Sequence, residues 1–176
     1  MTRNNISKPT FLFTILMFLF WTIKAQEKAN TNIPTKADTL NGSITPNRIW
    51  WDIQHYDLTI KPDYLNRTIS GKNVIEYNVA DKKHSDLMQI DLVSPLTIDS
   101  VFQNGKKIGY EHNQNIWYLK ISEIQASKKN KVVIHYSGKP TESIEPPWDG
   151  GLVWAKDSLS RPWISVACQY KGASLW

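Results

Sequence analysis

Apolar and polar residues alternate along most of the chain after residue 50, which is the pattern of half-buried β-strands. In the first such segment the polar face carries His55, Asp57 and Thr59. The alternating apolar positions are Tyr56, Leu58 and Ile60; Ile75, Tyr77 and Val79; Met88, Ile90 and Leu92; Trp117, Leu119 and Ile121; and Val132, Ile134 and Tyr136. Turn residues separate these segments at hairpin intervals, so the pattern predicts an antiparallel all-β domain.

Local signals agree with that prediction. Asn104-Gly105, placed between Phe102 and Ile108, is typical of a two-residue hairpin loop, because both loop positions require positive φ. Helical spacing is weak and is confined to a patch at 122–126. The chain shows no internal repeat.

The first 25 residues have the layout of a secretory signal peptide. Arg3 and Lys8 precede an apolar run from Phe11 to Ile23, and cleavage is expected near Ala25. An uncleaved membrane anchor is the alternative, but this run would reach only about 20 Å as a helix, short of a ~30 Å hydrocarbon core. We therefore expect export to the periplasm or the exterior, with no stable membrane span after cleavage.

The next segment, 26–47, is rich in Asn, Thr, Lys and Ala and has no apolar period, so it is expected to be a disordered leader before a domain at 48–176. Without the predicted signal peptide, 18 basic residues face 16 acidic ones, and the net charge falls from +5 to about +2. The lysines cluster without interleaved aromatic residues, which is typical of solvated loops. No nucleic-acid partner is predicted.

The reactive side chains do not form a recognisable catalytic set. Cys168 is the only cysteine, so an internal disulfide is impossible, and a lone cysteine is usually a small buried hydrophobe. The four histidines, His55, His84, His112 and His135, are scattered, and none has a second histidine within four positions. A helical zinc site needs two histidines at that spacing, so no catalytic residue and no metal site is expected within this segment.

The last 31 residues carry three distinctive strings: PPWDGG at 146–151, PWISVACQ at 162–169 and GASLW at 172–176. Together they resemble the zinc aminopeptidase family that includes aminopeptidase N and leukotriene hydrolase, in its secreted bacterial branch. The resemblance runs from Trp51 to Trp176. It implies the saddle-like β-sandwich of that family's N-terminal domain, incomplete at its C-terminus.

The resemblance also implies a function for the parent protein. It would be an exported zinc metallo-aminopeptidase that removes N-terminal residues from peptides, with the zinc bound by a missing C-terminal catalytic domain. The segment would cap the substrate cleft and be inactive alone. Gln169 matches the position at which the family holds the α-amine of the peptide, where aminopeptidase N has an acid and the leukotriene hydrolase branch has Gln. Tyr170 and Lys171 would be neighbours of this site only.

Two alternatives stay open. Trp148, Asp149, Gly150 and Gly151 could line the cleft or form a hinge, or they could form a turn packed under Trp148 and Trp154. The whole chain could instead be a non-enzymatic secreted β-sandwich that binds carbohydrate or another surface partner through its tryptophans, seven of which follow the predicted signal peptide. In either case, residues 148–176 are apolar enough that the isolated segment is expected to expose an apolar surface that promotes aggregation or dimerisation.

Overall fold

Ten strands carry the architecture in the part of the chain that the computed structural model describes, residues 39–41, 43–81, 83, 85–122, 124, 129–169 and 172–176. A short helix, α1 (Pro46–Ile49), precedes them, and a 3-10 helix (Gly172–Leu175) follows. The strands are β1 (Trp51–Asp63), β2 (Thr68–Val79), β3 (Leu87–Asp91), β4 (Thr97–Gln103), β5 (Lys106–Ile108), β6 (Tyr110–Asn113), β7 (Ile116–Lys120), β8 (Asn130–Gly138), β9 (Gly151–Lys156) and β10 (Pro162–Ala167).

The strands form three antiparallel sheets. The largest has the order β1-β2-β8-β4-β5, the second has the order β3-β7-β6, and the third is the β9-β10 hairpin. A single isolated parallel bridge, between Glu142 and Leu152, supplements the antiparallel pairing of the described strands. This arrangement confirms the predicted antiparallel all-β class.

The predicted apolar faces of β2, β3, β7 and β8 contribute to the core, whereas most of the predicted face of β1 does not, since Tyr56 and Leu58 are 48% and 42% exposed. Tyr77, Met88, Leu119 and Val132 are fully buried, and the alternating residues of β7 and β8 are buried with them. Tyr136 lies opposite Gly71 in the β2–β8 register, and a Cβ on that glycine would fall 2.2 Å from the tyrosine ring. The ring therefore covers the glycine, and burial raises the pKa of Tyr136 to about 12.

The predicted hairpin at Asn104-Gly105 is confirmed. The two residues have φ of 50° and 79° and join β4 to β5, with Gln103 paired to Lys106. A positive φ at both positions matches the right-handed twist of the flanking strands. Three of the five residues of the predicted helical patch at 122–126 lie outside the described residues, and the other two, Ser122 and Ile124, are not helical.

Contacts with the sheets begin before β1. Thr45 donates a hydrogen bond from Oγ1 to Oε1 of the buried Gln89 at 2.5 Å, and Arg48 forms an ion pair with Asp91 at 2.8 Å. Both partners belong to β3, so α1 is tied to the second sheet. The predicted signal peptide and most of the predicted leader lie outside the described residues. Within those that are described, no helix has the length and apolar character needed to cross a bilayer.

Candidate functional site

The distinctive strings of the sequence meet in one region, residues 142–176, which we call the tail. Its framework is the β9–β10 hairpin, closed by a turn at 157–161. The Asp157 carboxylate accepts hydrogen bonds from the backbone N–H groups of Leu159 and Arg161 and from Arg161 Nε, at 2.7 to 2.9 Å. Those bonds, with the backbone bond of Arg161 foremost, lower the pKa of Asp157.

A second carboxylate organises the start of the tail. Asp149 accepts hydrogen bonds from Ser143 Oγ and the Ile144 N–H, each at 2.5 Å, and from the Glu145 N–H at 2.9 Å. The Ser143 bond is the main cause that lowers the pKa of Asp149. Because its oxygens already bind its own turn, Asp149 is a structural residue here. Trp148 is 72% exposed, so the turn is not packed under Trp148, whereas Trp154, the other tryptophan of that alternative, is partly buried against the core.

Gly150 and Gly151 each allow a close backbone approach. A Cβ on Gly150 would lie 2.4 Å from the Gln169 carbonyl oxygen and 2.4 Å from a methyl group of Leu175. Gly151 has φ of +154°, and a Cβ there would lie 2.6 Å from the Ser143 nitrogen. Only glycine tolerates such contacts without displacing its neighbours. The PPWDGG string is therefore packed against the PWISVACQ and GASLW strings.

Gln169 lies just after β10 and is exposed, and Cys168 before it is exposed as well. The chain is fixed again at the 3-10 helix, where the Ser174 carbonyl accepts a hydrogen bond from the Val93 N–H at 2.8 Å and Leu175 is buried. Gln169 is thus an exposed amide on anchored backbone. Tyr170 and Lys171, its predicted neighbours, lie outside the described residues.

Two grooves meet at Trp176. The smaller one, about 450 Å³, is almost wholly apolar and aromatic. Its walls include Tyr64, Trp163 and Val166, all of them exposed, and Trp154 packs edge-on against Tyr64 at a ring distance of 5.5 Å. Trp163 in this groove and Trp148 thus give the tail two exposed tryptophans.

The larger groove, about 590 Å³, was not singled out by the sequence analysis. It lies between β1 and β3, with the Arg48–Asp91 ion pair at one wall and Tyr56 and Trp176 lining it. Burial raises the pKa of Tyr56, and the nearby Arg48 charge partly opposes that increase. In the sequence, this groove was indicated only by the alternating apolar residues of β1, and these were predicted to lie in the core.

The described residues do not form a metal site. His55, His112 and His135 lie on β1, β6 and β8, and His84 is outside the described residues. No group of three His, Cys, Asp or Glu side chains among the described residues is arranged to hold a metal ion. The residues present therefore do not fit a zinc ion.

Comparisons with known proteins identify the fold. No protein-family model and no curated protein sequence matches the chain. Native yeast leukotriene A4 hydrolase is similar in structure, with a TM-score of 0.56 and 14% identity over 85% of this chain and 23% of that one. The same yeast enzyme in complex with bestatin gives a TM-score of 0.56 and 16% identity over 77% and 22% of the two chains.

An M1 zinc metallopeptidase mutant from Deinococcus radiodurans, bound to a Tyr-Ser-Ala substrate, gives a TM-score of 0.53 and 16% identity over 71% of this chain and 28% of that one. The chain thus spans about a quarter of the length of these structures. It has the all-β fold of the N-terminal domain of M1 zinc peptidases, which confirms the predicted resemblance at the level of the fold.

Proposed function

We propose that this chain is the N-terminal, cleft-capping domain of an exported zinc aminopeptidase. The observation that carries the proposal is the tail, in which the three strings that resemble that family pack together on a fold shared with a solved M1 zinc metallopeptidase and yeast leukotriene A4 hydrolase. The zinc would be bound by a catalytic domain outside this chain. The described residues contain no group of His, Cys, Asp or Glu side chains that fits a zinc ion. Cleavage of the signal peptide near Ala25 belongs to the same proposal.

Within that enzyme, Gln169 binds the α-amine of the peptide substrate. Its exposure leaves the amide open to a ligand, and the close contact of its carbonyl with Gly150 fixes its backbone. The amide oxygen accepts a hydrogen bond from the substrate ammonium. A charge-assisted bond of this kind contributes about 1.5–3 kcal/mol once water is excluded.

The exposed aromatic surface of the tail supports a partner domain. Trp148 and Trp163 are 72% and 58% exposed, and Val166 is exposed in the same groove as Trp163. Exposed apolar surface of this kind marks an interaction site in a folded protein. In the proposed enzyme the catalytic domain covers this surface, and the two domains share the wall of the substrate pocket.

The role of Gln169 is tested in the chain joined to its continuation. Gln169→Ala is expected to lower kcat/KM for peptides with a free α-amine by about 10- to 150-fold, as the loss of one such bond implies. Gln169→Glu should retain activity, because a carboxylate also accepts from the ammonium. Gln54→Ala, at an exposed glutamine on β1, is the matched control and should leave kcat/KM unchanged. Wild-type efficiency in Gln169→Ala would remove the role.

The parent enzyme has a simpler test. The coding sequence after Trp176 should continue in frame and encode His-Glu-x-x-His within about 100–200 residues, the span of one further domain. Purified residues 26–176 should show no peptidase activity above background. A stop codon directly after Trp176 would contradict the proposal.

A binding module for carbohydrate is the second candidate. The smaller groove favours it, because Tyr64 and Trp163 present aromatic faces at its walls and sugar rings stack on such faces. Titration with oligosaccharides should then quench tryptophan fluorescence, and Trp163→Ala should abolish the change. If no oligosaccharide changes the fluorescence, the carbohydrate-binding candidate is rejected and the role as a peptidase domain remains.

A further inference from the structure

The outer edge of β1 lies at the end of the five-stranded sheet, because the strand pairs only with β2 among the described strands. Such an edge presents backbone N–H and C=O groups to a further strand, and natural edges are protected by bulges, Lys or Pro. In β1 these devices lie at the two ends, a bulge between Ile53 and His55 and the pair Lys61-Pro62. The five residues from Tyr56 to Ile60 contain no bulge, Lys or Pro, and Asp57 is the only charge among them.

The two faces of β1 are sharply different. From 56 to 62 the even-numbered residues are apolar and line the two grooves, Tyr56 and Leu58 the larger and Ile60 the smaller. From 55 to 63 the odd-numbered residues are polar and exposed, and the charges among them are Asp57 near the middle and Lys61 and Asp63 near the end. A strand that pairs with this edge must match an apolar face and a charged face at the same time.

A second copy of β1 matches both faces. We propose that two copies of this chain pair antiparallel through β1, around a two-fold axis that passes between the two Thr59 residues. Asp57 then lies opposite Lys61 of the second copy, and Leu58 lies opposite Ile60. Each of these pairs occurs twice, because the axis is two-fold. Opposite charges, aliphatic pairs and Thr–Thr pairs all stabilise directly facing positions of an antiparallel ladder.

Neighbouring symmetric registers lack this complementarity. A two-fold axis at Asp57 or at Lys61 places like charges opposite each other. An axis at Leu58 leaves Asp57 opposite Thr59, and an axis at Ile60 puts Asp57 opposite Asp63. Pro62 has no N–H, so the ladder weakens beyond Lys61. The charges therefore select the register centred on Thr59, which joins two five-stranded sheets into one.

Sedimentation velocity of the full chain over a concentration series tests the pairing. The wild type is expected to form a dimer, and Asp57→Lys should raise the dimer dissociation constant at least tenfold, since Lys then faces Lys61 twice. Combining Asp57→Lys with Lys61→Asp restores the opposite charges and should return the constant to within about threefold of wild type. Asp86→Lys, the same change at an exposed position outside β1, is the matched control and should have no effect.

A cross-link reports the register directly. Thr59→Cys in a Cys168→Ser background should form an intermolecular disulfide under mild oxidation, because facing Cβ atoms in such a ladder lie about 4.5–5.5 Å apart. Asp86→Cys in the same background should not. Trp163→Ser should keep the dimer, which separates this pairing from association through the tail.

A wild-type chain that stays monomeric up to about 200 µM would overturn the proposal. So would a charge swap that fails to restore the dimer, or a dimer that Trp163→Ser dissociates. None of these results bears on the proposed peptidase role, which is measured by the activity of Gln169 variants.

Discussion

β8 and β10 both contain several apolar residues, but these residues have different surroundings in the fold. Val132, Ile134 and Tyr136 of β8 are buried, whereas Trp163 and Val166 of β10 are exposed. β8 pairs with β2 on one side and β4 on the other, while β10 pairs only with β9. The neighbouring strands therefore determine whether the apolar residues of a strand become core or stay exposed.

The largest expected effect tests whether the two regions differ in their contribution to stability. Leu119→Ala removes a fully buried side chain of β7 and should lower the free energy of unfolding by about 2–5 kcal/mol. Trp163→Ala, at an exposed position of β10, should change it by less than about 0.5 kcal/mol. Urea denaturation measures both as shifts of the midpoint at constant slope. Equal losses would show that the tail surface is part of the core.

The next prediction concerns backbone packing within the tail. Gly150→Ala should lower the free energy of unfolding by about 1–3 kcal/mol, because the new methyl group overlaps the Gln169 carbonyl and Leu175. Gly109→Ala is the matched control, since its Cβ would lie 3.4 Å from a flexible Lys120 side chain. That variant should be neutral or stabilising by up to about 1 kcal/mol. A neutral Gly150→Ala would mean that the three strings are not held together.

The third prediction concerns the pH dependence of stability that arises from two buried tyrosines of the core. Burial raises the pKa values of Tyr77 and Tyr136 from 10.0 to about 12. The folded state holds these protons more tightly than the unfolded state, so their stabilising contribution is complete below pH 10 and is lost as the pH rises toward 12. Denaturation midpoints should fall across that window. Tyr136→Phe, which cannot ionise, should reduce the fall, and an unchanged alkaline profile would contradict the assignment.

The smallest expected effect is at the turn that starts the tail. The pKa of Asp149 lies below its ordinary value of 3.8, chiefly because Ser143 donates a hydrogen bond to the carboxylate. The carboxylate therefore stabilises the fold above that pH, and the contribution is lost as the pH falls through the lower folded-state pKa. Asp149→Asn should flatten the acid limb of the stability curve. Ser143→Ala should flatten it partly, and the double variant should lose less than the sum of the two.

The fold was largely predictable from the sequence because its signals are local. A period of two assigned the faces of the strands, and Asn104-Gly105 specified the hairpin between β4 and β5. For the candidate site, the strings around Gly150 and Gln169 indicated the region but not its geometry. Neither the larger groove nor the binding of Asp149 to its own turn was predicted, since both depend on where distant segments pack.

The sequence by itself determined the strand type, the side-chain faces and the sharp turns, because these follow from the alternation of the pleat and from backbone φ. Only the tertiary structure decided that β1 lies at an edge, that Trp148 faces outward and that Gly150 contacts the backbone of Gln169. Those outcomes arise from pairings between residues far apart in the chain. Which strands become neighbours depends on the packing of the whole core, and no local pattern encodes it.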